Sequence, residues 1–117
     1  NRITELKKEV DIVMVSIHWG AEYKDRATNS QVELGKKIID MGADVIIGHH
    51  PHVDQEIERY ANGWIIYSLG NFIFDQSWSE NTMEGLLAEI HIQDGRVYDI
   101  APKFIQLNEN YQPYILE

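Results

Sequence analysis

Val10-Asp11-Ile12-Val13-Met14-Val15-Ser16-Ile17 and Ala43-Asp44-Val45-Ile46-Ile47-Gly48 are the two stretches that decide the fold class of this chain. Both are almost continuously apolar and rich in β-branched residues, the pattern of strands buried on both faces in a parallel sheet. Between them, Thr28-Asn29-Ser30-Gln31 has the spacing of a capping box, with Thr28 as N-cap and Gln31 three residues on. Leu34, Ile38 and Met41 supply one apolar helical face, and Gly42 stands where a helix should stop. Residues 11–48 are therefore expected to form a β-α-β unit with its helix from about Asn29 to Met41. Its two strands should be parallel and adjacent, joined by a right-handed crossover.

Outward from this unit the pattern changes. Upstream, Arg2 to Lys8 reads as the end of a helix. Downstream, Glu56–Tyr60 and Trp64–Leu69 read as strands joined by Ala61-Asn62-Gly63, where Asn-Gly favours a tight hairpin. Leu86–Gln93 and Arg96–Ile105 make a second hairpin through Asp94-Gly95. Leu86, Ala88, Ile90 and Ile92 alternate with Leu87, Glu89, His91 and Gln93, the period of a half-exposed strand. A parallel unit that leads into antiparallel hairpins predicts an α/β fold with a mixed sheet.

Composition narrows the function classes. With 19 acidic and 10 basic residues the net charge is −9, which repels a phosphate backbone and argues against nucleic-acid binding. A 44% hydrophobic content is too high for a disordered chain, and no apolar run approaches the ~20 residues of a membrane span. The absence of cysteine excludes disulfides and thiolate metal sites, so metal chemistry here would use His, Asp, Glu or Asn. The sequence opens on Asn1, without a visible signal peptide or lipidation motif. We expect a single partial domain, residues 1–117, lying within a longer protein.

Four of the five histidines fall at the carboxyl ends of the two predicted parallel strands: His18 after the first, and His49, His50 and His52 after the second. In open α/β sheets that edge is where ligands bind. Pro51 excludes the helical region for His50 and is expected to hold it extended. Side chains two apart in an extended stretch share a side, so His50 and His52 should converge while His49 points elsewhere. With His18 they offer three nitrogen ligands, suited to zinc, manganese or iron. A lone strand-end histidine is usually a surface residue; four at one sheet edge are harder to explain that way. Glu22 is a candidate to orient His18 or to act as a general acid or base, or is simply a solvated carboxylate. Lys24 and Arg26, in the same loop, are weaker candidates for anion binding. Trp64 and Trp78 read as packing residues.

His18-Trp19-Gly20-Ala21-Glu22-Tyr23, Gly42-Ala43-Asp44-Val45-Ile46-Ile47-Gly48-His49-His50-Pro51-His52-Val53 and Tyr67-Ser68-Leu69-Gly70-Asn71-Phe72-Ile73-Phe74-Asp75 resemble, in order and spacing, three signatures of the CapA-type poly-γ-glutamate capsule-synthesis family. The match covers roughly residues 10–76. That family resembles the calcineurin-like metallophosphatases, a two-sheet sandwich with outer helices, of which this chain would be the C-terminal half. One departure is visible: Ala27 stands near the position where the family carries a proline.

The resemblance implies a divalent-metal site, dinuclear in the full domain, built from five sequence blocks. His18 resembles the fourth. His50-Pro51-His52 resembles the fifth, a Gly-His-x-His element; aligning that element at Gly48-His49 instead keeps His49 a candidate. The first three blocks, which bring a bridging aspartate and further ligands, would lie upstream of Asn1. His18, His50 and His52 are thus the implied metal ligands, and His18, Glu22 and His49 the candidates for catalysis. Asn71 and Asp75 would contribute to the wall of the site. The implied role is metal-dependent hydrolysis in making or exporting an anionic capsule polymer, with a phosphoester or that polymer as substrate. A cell-surface or membrane-anchored parent is implied as well. The alternative is a non-catalytic binding or assembly component.

Overall fold

A computed structural model describes residues 1–116. In chain order the elements are α1 (Arg2–Leu6), β1 (Met14–His18), α2 (Asn29–Asp40), β2 (Val45–His49), β3 (Ile57–Tyr60), β4 (Gly63–Ile66), a 3₁₀ turn (Asn81–Met83), β5 (Glu84–Gln93), β6 (Arg96–Leu107) and β7 (Pro113–Ile115). The first sheet runs β1-β2-β4-β3 and the second β5-β6-β7.

The expected β-α-β unit is present. β1 and β2 are parallel neighbours in the register Met14↔Val45 through His18↔His49. Thr28 caps α2 through a reciprocal capping box with Gln31, and Gly42 leaves the helix at φ +112°. β4 extends the parallel set by pairing with β2, and β3 returns antiparallel. The first hairpin is tighter than expected, because Tyr60 pairs with Gly63 and only Ala61 and Asn62 form the turn. The second hairpin turns at Asp94-Gly95, both at positive φ (50° and 70°) as a type I′ turn requires. The short strand β7 against β6 was not foreseen.

Two expectations need correction. β1 is an edge strand with alternating exposure and is not buried on both faces. It also begins at Met14, because the preceding backbone is held by Asp44 outside the ladder. The Asp44 carboxylate accepts from Val13 N at 2.8 Å and from Lys7 Nζ at 2.7 Å. The buried face of α2 is Gln31, Gly35, Ile38 and Ile39, whereas Leu34 and Met41 are exposed. Counting apolar residues misplaces this face: Gln31 is buried because hydrogen bonds satisfy it, and Gly35 because Trp19 and Ile65 press against it.

α2 covers one face of the mixed sheet, packing Ile38 and Ile39 against Ile46, Ile65, Tyr67 and Trp19. The other face carries Val45 and Ile66, which meet Ile100, Ala88 and Ile90 of the second sheet. Strand alternation makes this possible, since neighbours along β2 point to opposite faces. Val45, Ile46, Ile65 and Ile66 are completely buried, and each such side chain contributes about 1.5–3 kcal/mol. The result is a helix–sheet–sheet sandwich in which the carboxyl ends of β1 and β2 stay open. Among the described residues no helix is long and apolar enough to cross a membrane.

Candidate metal centre

The β1–β2 register sets His18 opposite His49 at the open edge. His49 shares the face of Val45 and Ile47. Its Nε2 lies 3.1 Å from Ser16 Oγ, and it lines a cleft of about 310 Å³ between the sheets with Ile47, Ile66 and Leu69.

The chain then turns sharply out of the sheet. His50 is not extended, as Pro51 led us to expect, but lies at φ +104°, and His52 follows at φ +61°. Proline closes the helical region to His50 but leaves the extended one open, so the positive φ is imposed by the tertiary structure, which buries Pro51 and bonds its carbonyl to Tyr23 N. Two non-glycine residues at positive φ within three positions are a local strain of the kind concentrated at functional sites. The convergence expected of His50 and His52 is nevertheless realised. Their ring centroids are 6.1 Å apart, and the His50 ring is 4.4 Å from that of His18.

Glu22 completes the group: one ligand atom each from Glu22, His50 and His52 lie within 4.8 Å of one another. The loop that carries Glu22 is pinned from several sides. Tyr23 N donates to Pro51 O at 2.8 Å. Gln55 Nε2 donates to Lys24 O at 2.7 Å while its Oε1 accepts from Gln31 Nε2 at 3.0 Å. Gly20 (φ +84°) is needed where the loop leaves Trp19, because a Cβ there would sit 2.6 Å from the Gln31 amide. Trp19 anchors the start of the loop by donating its indole N–H to Tyr67 O at 2.8 Å.

His52 is bounded by the rings of Phe74 (5.0 Å) and Tyr23 (6.1 Å), and its Nδ1 lies 3.0 Å from Asn71 Oδ1. Two imidazoles and a carboxylate, with a third imidazole adjacent, form a nitrogen–oxygen donor set that fits zinc, manganese or iron. The single carboxylate leaves much of a dication's charge uncompensated. Asp54, two residues past His52, faces a separate cavity with Asp25, Arg26 and Glu56. Burial pushes its carboxyl above the usual range, a main-chain hydrogen bond opposes this, and Asp25 adds to the rise. The carboxylates around Arg26 make that loop a poor anion site.

The structure thus gathers His18, Glu22, His50 and His52, and leaves His49 on the inter-sheet side. Glu22 stands with His50 and His52 and not as the partner of His18 alone. Asn71 is buried and bonded to His52, whereas Asp75 is exposed. Trp78, expected to pack, is 64% exposed and stands edge-to-face with Tyr23, ring centroids 6.0 Å apart. The aromatic wall of Tyr23 and Phe74 was missed. Its signal was Phe72-Ile73-Phe74, an apolar run in a segment with no strand partner.

Residues 1–76 match the family model described as bacterial capsule synthesis protein PGA_cap. The chain is 44% identical over 102 residues to the capsule biosynthesis protein CapA of Bacillus anthracis, covering 86% of this chain and 25% of that protein. It is 47% identical over 91 residues to the PGA biosynthesis protein CapA of Bacillus subtilis, covering 78% and 24% respectively. A probable polyglutamine synthesis accessory protein of Mycobacterium tuberculosis is 33% identical over 69 residues, covering 59% and 18%. The chain therefore spans about a quarter of the length of the two Bacillus relatives.

Proposed function

The chain belongs to the bacterial capsule synthesis protein family PGA_cap, and from that membership we propose that its histidine–carboxylate cluster is part of a metallophosphatase-like hydrolytic site used in capsule polymer synthesis. Glu22, His50 and His52 would hold a divalent cation, manganese, zinc or iron, with His18 beside them. The observation that carries this is the convergence of those three side chains within 4.8 Å at the open sheet edge. In the parent protein a second metal and the remaining ligands would come from sequence outside this chain, making the site dinuclear.

When bound, such a metal supplies Lewis-acid polarisation and a readily deprotonated water. The chain's own groups do the rest. His50 and His52 present neutral nitrogens, and Glu22 adds charge compensation. His18 is exposed, its ring 4.4 Å from that of His50, and can hold or deliver a proton at a leaving oxygen. His49 lines the inter-sheet cleft, and we assign it no role in this step. The substrate would be a phosphoester or the anionic polymer itself, with the parent acting in a cell-surface context.

Calorimetric titration of the 117-residue chain with zinc or manganese tests the proposal. We expect weak binding to the wild type and at least a tenfold loss in His50→Ala with the fold unchanged; equal binding by both would exclude His50 as a ligand. We also expect the chain alone to be silent toward simple phosphodiesters, because it supplies only part of the ligand set. Robust metal-dependent turnover by it would place the site's residues wrongly. Metal binding without turnover in a protein spanning the full length of the relatives would leave a non-catalytic assembly role in its place.

A further inference from the structure

Asn71 is 4% exposed, and both N–H groups and the oxygen of its side-chain amide have partners. Its Nδ2 donates to Thr82 O at 2.9 Å and to Gln76 Oε1 at 3.2 Å, and its Oδ1 faces His52 Nδ1 at 3.0 Å. The Thr82 carbonyl can only accept, so the amide cannot be turned round without setting two buried oxygens against each other. Gln76 is oriented in its turn, because Asn71 Nδ2 can only donate and so requires Gln76 Oε1; that leaves Gln76 Nε2 3.4 Å from Tyr23 Oη. Thr82, fully buried, donates its hydroxyl to Gln76 O at 2.8 Å and ties the loop together.

From this geometry we infer that Asn71 is a positioning residue: it holds His52 in the Nδ1–H tautomer and presents Nε2 as the metal-facing nitrogen. An amide oxygen has no proton to give, so the hydrogen between the two groups belongs to His52 Nδ1. That leaves the lone pair on Nε2. The bond also fixes the ring plane, since a half-turn about the Cβ–Cγ bond would put a carbon where Nδ1 stands. Phe74 and Tyr23 restrict the same rotation from the ring faces. Hydrogen bonds of this type raise the basicity of the free nitrogen, and their loss costs roughly 10–100-fold in metal affinity. The inference rests on the metal centre proposed above for its purpose, though the tautomer is a property of the metal-free chain.

Long-range proton–nitrogen correlation spectra of the ¹⁵N-histidine-labelled, metal-free chain at pH 8 read the tautomer directly. We expect His52 as Nδ1–H in the wild type, a shift toward Nε2–H in Asn71→Leu, and a 10–100-fold weaker zinc affinity in that variant. An Nε2–H His52 in the wild type overturns the inference, as does an unchanged tautomer in a folded Asn71→Leu chain. If the variant fails to fold, the wild-type spectrum alone decides. Zinc that perturbs His52 at Nε2 supports the assignment, and zinc at Nδ1 overturns it. An Nδ1–H spectrum that zinc leaves untouched overturns the metal centre while the Asn71–His52 assignment stands, so the two failures are distinguishable.

Discussion

Gly48 is the residue on which the sheet edge and the site both depend, and Gly48→Ala should be among the most damaging single changes in the chain. A Cβ at Gly48 would lie 2.0 Å from Tyr67 O and 2.6 Å from Trp19 Nε1. Real Cβ contacts essentially never fall under 3.0 Å, so β2 and the Tyr67 carbonyl must separate by at least 3.0 − 2.0 = 1.0 Å. That carbonyl is the acceptor for the buried Trp19 indole at 2.8 Å, so the movement that makes room also breaks the bond. Overpacking a core costs about 1–3 kcal/mol. A buried donor left unpaired costs about 1–3 kcal/mol more. One movement serves both, so the two will not simply add, and we expect a loss of about 3 kcal/mol, a large share of the roughly 5–15 kcal/mol that stabilises a typical domain. Urea unfolding followed by tryptophan fluorescence measures it, with Trp19 reporting from the damaged core. A loss below about 1 kcal/mol would show that β2 and Trp19 yield independently and that the close approach carries no weight.

Two further outcomes follow from other contacts. Tyr67 Oη donates to Glu58 Oε2 at 2.7 Å, and this bond first, then Lys36, holds the Glu58 carboxyl below its usual range. A depressed carboxyl stabilises the fold above its unfolded pKa and loses that contribution as pH falls through the folded value. Tyr67→Phe should therefore cost about 1–2 kcal/mol at neutral pH, with the gap to wild type closing in acid; a gap that is constant with pH in denaturant titrations would assign the loss to packing. At His50, φ +104° suits glycine and strains alanine. His50→Gly should be about 1 kcal/mol more stable than His50→Ala although both lack the imidazole, and equal midpoints in thermal unfolding would refute the strain.

What the sequence revealed, and what it hid, follows the range of the interactions involved. The β-α-β unit was legible because its signals are local: a capping box over Thr28 and Gln31, a helix stop at Gly42, and two apolar runs of strand length. The Asp94-Gly95 turn was legible for the same reason. The buried face of α2 was not, because Gln31 enters the core only when Gln55 and Thr28 are there to satisfy it. Nor was the true start of β1, which depends on a carboxylate thirty-one residues away holding Val13 N. A strand's apolar character says that it can be buried; only its place in the sheet order says whether both faces are.

The site divides along the same line. Four histidines at two strand ends could be read directly, since parallel neighbours bring their carboxyl ends to one edge whatever the loops do. The route to convergence could not: Pro51 was right about which conformation His50 must avoid and silent on which it would take. That choice belongs to the tertiary structure, which buries Pro51 and ties its carbonyl to Tyr23 N. The same tie brings Glu22, the residue before Tyr23, to the histidines it joins. Asn71 reaches His52 by a third route, through a loop whose hydrogen bonds close on themselves at Thr82 and Gln76. The histidines of the proposed metal centre are thus legible at strand ends, while Glu22 and the orientation of His52 are set by loops that meet only after folding. Changes at Thr82 or Gln76 should then reach His52 without touching it, in contrast to Gly48→Ala, which acts through the backbone of β2.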